Sequence, residues 1–151
     1  MAEGAVMLSG LRLAVGRMRV PRTDRALGAA GERRAARLLK RGGYSIVDRN
    51  VRLPIGEADL VCLAPDRATI VVVEVKTRRR GAGLSVLGET VPPEASVHSK
   101  KRRKLRSIAR VLARVNGWEG RPLRIDVVAV EWPEDGSRPV MRHHVGAVGD
   151  S

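Results

Sequence analysis

The chain has 151 residues, with 29 Lys and Arg against 16 Asp and Glu, and a formal charge of +13. That length is room for one ordinary domain, and 43% hydrophobic residues suffice for a packed core, so the charge is not that of a disordered basic tail. The single cysteine, Cys62, excludes an internal disulfide and any Cys-based zinc site and suits a reducing cytoplasm. No apolar run approaches the ~18 residues of a membrane helix, so no membrane partner is expected.

In chain order, residues 1–22 read as a flexible basic leader, 23–148 as the folded domain and 149–151 as a tail. A helix is expected from about Asp24 to Arg41, with Thr23 as N-cap and Gly42-Gly43 as the stop. Three strand-like runs follow: Tyr44 to Arg52, broken in the middle, then Glu57 to Leu63, then Thr69 to Thr77. The third is dense in β-branched residues and reads as a central strand. Arg78 to Ala95, rich in Gly and Pro, reads as a long loop. A second helix from about Val97 to Asn116 carries Leu105, Ile108, Ala109 and Leu112 at helical spacing. Strands from Pro122 to Glu131 and near Val140 to Val145 complete the order α-β-β-β-α-β-β, an α/β fold with a mixed sheet flanked by helices.

The acids and one lysine of the middle strands carry the chemistry. Glu74-Val75-Lys76 ends the third strand, where alternation puts Glu74 and Lys76 on one face. A turn centred between Asp66 and Arg67 sets Asp59 across from Glu74 and Glu57 across from Lys76. Opposed residues have Cβ atoms roughly 4.5–5.5 Å apart. Two carboxylates that close need a proton or cation between them, and one or two carboxylates with water suit Mg²⁺ or Mn²⁺. Such an ion activates water and stabilises charge on a phosphodiester, and Lys76 would orient the nucleophile or neutralise the transition state. The plainer alternative is a half-buried face of ion pairs. Lysine here also runs against the chain's own habit, since only five of its 29 basic residues are lysine. Glu32 on the first helix falls on the inward stripe with Gly28, Ala35 and Leu39, where it needs a partner: the metal site through water, or a sheet arginine.

The charge excess points to a polyanion, with arginine-rich composition as the bland alternative. Arg78, Arg79 and Arg80 follow Lys76 directly, and Lys100, Lys101, Arg102, Arg103 and Lys104 open the second helix, so two cationic runs flank the acidic cluster. These eight residues are the nucleic-acid-binding candidates, although Lys101 shares the inward stripe with Leu105. With Tyr44, Trp118 and Trp132 as the only aromatics, a module that stacks several bases on aromatic rings is disfavoured. Asp126 within an apolar strand is expected to pair with Arg52 or Arg124, and His143-His144 lack zinc spacing.

Gly31-Glu32 on a helix, Asn50 and Arg52, Gly56-Glu57-Ala58-Asp59-Leu60, Val73-Glu74-Val75-Lys76-Thr77-Arg78, Lys101, Leu105, Asp126-Val127-Val128, His143 and Ala147 together resemble the bacterial YraN-type endonuclease-like family. The resemblance spans about Arg25 to Val148 and implies a restriction-endonuclease-like fold similar to archaeal Holliday-junction resolvases. It implies catalytic roles for Asp59, Glu74, Lys76 and Glu32, with Asp59, Glu74 and the Val75 carbonyl on Mg²⁺ or Mn²⁺. The family's proline before the first acid is Ala58 here. The reading that follows is a metal-dependent endonuclease acting on branched or structured DNA, with a homodimer left open. The alternatives are a catalytically silent DNA-binding module of the same fold and an RNA- or ribosome-associated basic protein.

Overall fold

The computed structural model describes residues 19–80 and 99–148. Its elements are α1 (Asp24–Arg41), β1 (Ser45–Leu53), β2 (Gly56–Leu63), β3 (Ile70–Arg80), α2 (Ser99–Val115), β4 (Leu123–Pro133) and β5 (Val140–His144), the order expected from the sequence. The five strands form one sheet in the order β1-β2-β3-β4-β5. Only β3 and β4 are parallel, which is why α2 lies between them in the chain. Among the described residues no helix is long and apolar enough to cross a membrane.

Each helix covers one face of the sheet. Leu27, Ala35, Ala36 and Leu39 of α1 pack on Leu60, Cys62, Val71, Val73, Val128 and Val130, and the Cys62 thiol, buried there, is pushed up to about 12. Leu105, Ile108, Ala109 and Leu112 of α2 pack on the opposite face, against Val61, Ile70, Val72, Ile125 and Val127. The alternation of Val71 and Val73 with Val72 and Ile70 is what assigns β3's side chains to the two layers, and it sends Glu74 to the α2 side. Thr23 caps α1 as expected, its Oγ1 accepting from the Ala26 N–H at 3.1 Å.

The β2–β3 turn has the even length assumed from the sequence. Asp66 fixes it, one carboxylate oxygen accepting from the Ala68 and Thr69 N–H groups at 2.9 Å each and the other from the Thr69 hydroxyl. These bonds hold the Asp66 carboxyl down at about 2. Leu63 then faces Ile70 and Leu60 faces Val73, the register that brings Asp59 toward Glu74.

The expected break in β1 is present, and the end of β3 lies beyond the expected one. The break in β1 is a shift of register between Ile46 and Asp48. Val97 lies outside the described residues, within which α2 starts at Ser99. Arg78, Arg79 and Arg80, expected to open a loop, belong to β3, and the rest of that expected loop lies among residues 81–98, outside the described ones. Parallel pairing explains this, because Arg78, Arg79 and Arg80 continue the ladder against Glu131, Trp132 and Pro133.

Gly31 sets the height of α1 over β3. A Cβ at this position would overlap the Thr77 side chain, so the helix backbone can lie directly on the strand only where no side chain intervenes. Gly31→Ala is expected to destabilise the fold by about 1–3 kcal/mol, the usual range for overpacking. Thr77→Ala should recover much of that loss in a double-mutant cycle read by urea denaturation, and strictly additive effects would contradict the packing argument.

Candidate active site

The site forms where β2 leaves β3. Their ladder ends at Leu60–Val73, and β2 goes on paired with β1 alone, Arg52 opposite Glu57 and Leu53 opposite Gly56. One step past the last pair, Asp59 Oδ2 accepts the Val75 N–H at 2.7 Å, a side chain taking the main-chain donor that a continued ladder would have used. Asp59 and Glu74 both line the cleft that opens there, of about 1050 Å³, between the β1–β2 turn and the start of α2.

The early end of the ladder corrects one expectation. Glu57 does not meet Lys76: it forms an exposed ion pair with Arg52, 3.6 Å apart, because at that point β2 pairs only with β1. Lys76 turns instead to Glu74, its Nζ 3.1 Å from Oε1.

Glu74 is 5% exposed, and a second cation reaches the same Oε1 atom. Lys101, expected among the nucleic-acid contacts, donates from Nζ to Glu74 Oε1. Its position one turn before buried Leu105 aims it at the sheet, which the inward stripe had foreshadowed. Partial burial pulls the Lys101 ammonium toward a lower pKa, but its bond and attraction to Glu74 outweigh this and raise it above the ordinary lysine value.

Asp59 has the opposite balance. Burial and the nearby Glu74 charge push its carboxyl up to about 6, against the lowering effect of the Val75 N–H, with Glu32 adding to the rise. Among the described residues no group of three or more His, Cys, Asp and Glu side chains gathers as a ready-made metal cluster. The Asp59 and Glu74 carboxylates that line the cleft are nonetheless oxygen donors of the kind that suit a hard, largely hydrated Mg²⁺ or Mn²⁺ ion.

Glu32 is not on the cleft floor. It is half-buried on α1 and lines a second recess of about 530 Å³ with Asp24, Val75, Lys76 and Thr77, so it approaches the site from the other side of β3. Lys100, Arg103 and Lys104 are exposed on α2, with Lys100 and Lys104 lining the main cleft, while Arg102 is half-buried. Arg78 and Arg80 are exposed on β3, but Arg79 donates to the Pro21 carbonyl at 2.6 Å and ties the chain before α1 to the sheet. The β1–β2 turn, Pro54 and Ile55, was not anticipated as a cleft wall; an apolar tip between two strands was the available signal.

Asp126 settles on Arg124 and not Arg52. Arg124 Nε and Nη2 each donate to it at 2.8 Å, His143 Nε2 lies 2.7 Å from Oδ2, and the Gly146 N–H completes the set at 2.9 Å. Burial would raise this carboxyl, but the bonds from His143 and Arg124 hold it below the usual range. Arg124 also donates to the Tyr44 hydroxyl at 2.7 Å, so the network joins the start of β1 to β4 and β5, away from the cleft.

The Asp59 shift has a testable sign. Its folded value, near 6, exceeds the unfolded one near 3.8, so below both values the group costs nothing. As pH rises from about 4 to about 6 the unfolded chain ionises first and stability falls, and above that range the penalty is complete. Asp59→Asn, which keeps an acceptor for Val75, should be more stable than wild type at pH 7 in metal-free buffer by roughly 2–3 kcal/mol. The two proteins should converge near pH 4 in chemical denaturation, and parallel curves would refute the assignment.

Comparison with known sequences adds a family. The profile described as uncharacterised protein family UPF0102 matches residues 31–130. A UPF0102 protein of Renibacterium salmoninarum is 43% identical over 122 residues, 81% of this chain and 95% of its own length. One from Symbiobacterium thermophilum is 46% identical over 114 residues, 75% and 88% of the two chains. Another from Beutenbergia cavernae is 44% identical over 128 residues, 85% and 99%.

Proposed function

The chain belongs to the uncharacterised protein family UPF0102, and for this member we propose a metal-dependent DNA endonuclease that hydrolyses phosphodiesters in branched or structured DNA. The observation that carries the reading is Asp59 and Glu74 at the fork of β2 from β3, in one cleft whose far wall is lysine. The resemblance of Asp59, Glu74-Val75-Lys76 and Glu32 to a nuclease signature supports it, as does the net charge of +13.

In this mechanism Asp59, Glu74 and the Val75 carbonyl would hold one Mg²⁺ or Mn²⁺ ion. Such an ion would supply Lewis acidity toward water and a phosphate oxygen. The Val75 N–H fixes the Asp59 carboxylate, so one of its oxygens is oriented before any substrate arrives. Lys76, beside Glu74, takes the charge that builds on the phosphoryl oxygens. Lys101 is the counter-charge of Glu74 when no other cation is present, and its flexible stem lets it turn to a phosphate when Glu74 is otherwise engaged. Glu32 supports a water from the α1 side, and Lys100, Arg103 and Lys104 bind the backbone.

One observation favours a second reading, a DNA-binding module without catalysis. Lys76 and Lys101 already satisfy Glu74, an arrangement that needs no metal. Calorimetry separates the two. In the nuclease, Mn²⁺ binds wild type, binds Lys101→Met more tightly and does not bind Asp59→Ala; in the silent module it binds none of them.

Cleavage is checked with Mn²⁺ and a panel of duplex, flap and four-way-junction DNAs. Glu74→Ala and Lys76→Ala should each lower the rate by about 10²–10³, with Lys76→Ala leaving DNA affinity nearly intact. Neutralising Lys100 and Arg103 should weaken binding to every duplex and reduce the salt slope by about 0.9 for each phosphate that no longer has a cation against it. Equal cutting by wild type and Glu74→Ala would end the nuclease reading.

A further inference from the structure

Facing the lysines of α2, the cleft has an apolar wall. It is the turn between β1 and β2, where Pro54 and Ile55 are both exposed, Ile55 at 41%. The turn is held in place on both sides. Leu53 pairs with Gly56 at its base, and Gly56, at φ 151°, lies so close under α2 that a Cβ would strike the Lys104 side chain and approach Ile108. An apolar tip is therefore fixed at a set distance from the lysine wall and from Asp59 and Glu74 on the floor.

Phosphates gain nothing from isoleucine and proline. The ligand that fits a cationic wall facing an apolar one carries charge on one side and flat apolar faces on the other, which describes a nucleotide strand with a base uncovered. In continuous duplex the base faces cover one another, and a protein meets only edges, sugars and phosphates. A face becomes available where a step is unstacked, and aliphatic side chains such as Ile, Leu and Pro serve as wedges at such steps. None of the chain's three aromatic side chains lines this cleft.

We propose that the Pro54–Ile55 tip is a specificity element that packs on the exposed base of an unstacked DNA step, while Lys100 and Lys104 hold the adjoining phosphates. The inference rests on the nucleic-acid part of the function proposed above and adds the residue that selects among DNA structures. The tip favours a flap, gap or branch over continuous duplex because only the former offers it a base face.

The test is binding measured by fluorescence anisotropy in EDTA, so that no cutting intervenes, with a continuous duplex and the same sequence bearing a flap. Wild type should prefer the flapped DNA, and Ile55→Ser should lose about five- to tenfold of affinity for it while binding duplex as before. Ile55→Leu should restore the preference, and Lys100→Gln should weaken both DNAs alike. A 2-aminopurine beside the open step should change its fluorescence with wild type and not with Ile55→Ser. An Ile55→Ser protein that binds both DNAs as wild type does, or loses both equally, overturns the proposal. Cutting that is indifferent to Ile55 would leave the nuclease and remove the wedge; flap selection through Ile55 without any cutting in Mn²⁺ would do the reverse. Binding of neither DNA would overturn both.

Discussion

The hydrogen bond from the Val75 N–H to Asp59 is the point on which the site turns. Two strands paired as far as Leu60–Val73 would normally continue, and a continued ladder would spend the main-chain groups of β3 on β2 and leave no opening. By accepting that N–H itself, Asp59 ends the ladder without leaving a buried donor unsatisfied. The fork then opens a cleft on the α2 side, and the end of β3 borders a recess on the α1 side. One carboxylate thus closes the sheet and faces the cleft, so Asp59→Ala removes the acceptor of the Val75 N–H together with a cleft carboxylate, whereas Asp59→Asn removes only the charge.

Charge balance at the fork follows from burial. Glu74 is almost fully enclosed and has two ammonium groups on one oxygen, whereas Asp59 has a main-chain donor and, among the described residues, no cation bonded to it, and its carboxyl rises to about 6. The difference comes from the elements behind each residue: α2 delivers Lys101 to Glu74, and β2's departure leaves Asp59 facing the cleft. Asp126, fully buried, has Arg124, His143 and a main-chain N–H around it and sits below the usual carboxylate range. Asp59 and Asp126, acids of one sheet, are thus shifted in opposite directions, and the raised one lies in the cleft.

Much of this was legible in the sequence because it depends on local rules. The even turn around Asp66 and Arg67 set the β2–β3 register, and the β-branched run of β3 with helical spacing in α2 set the layers. The end of the ladder was not legible, since it depends on a bond between a side chain and a main chain on different strands; hence Glu57 was assigned to Lys76 and is found with Arg52. Arg78, Arg79 and Arg80 looked like the start of a loop because three arginines carry no strand pattern, but the parallel partner β4 keeps them in the ladder. Asp126 had two candidate partners by sequence, and the choice fell to Arg124, two residues away on the same strand face.

The distribution of lysine ties the cleft together. Of the chain's five lysines against 24 arginines, Lys76 and Lys101 meet Glu74, and Lys100 and Lys104 line the same cleft, leaving only Lys40 elsewhere. An arginine in place of Lys101 would present a planar fork able to grip both Glu74 oxygens, and a bidentate, partly buried pair of that kind is slow to give way. An ammonium on a four-carbon stem holds one oxygen only and keeps its freedom to rotate toward a phosphate. On the function proposed above, the compact cations stand where a carboxylate would be neutralised at rest and released in use. The arginines of α1, by contrast, face outward at Arg33 and Arg37, where a permanent charge and a fixed fork have no such exchange to allow.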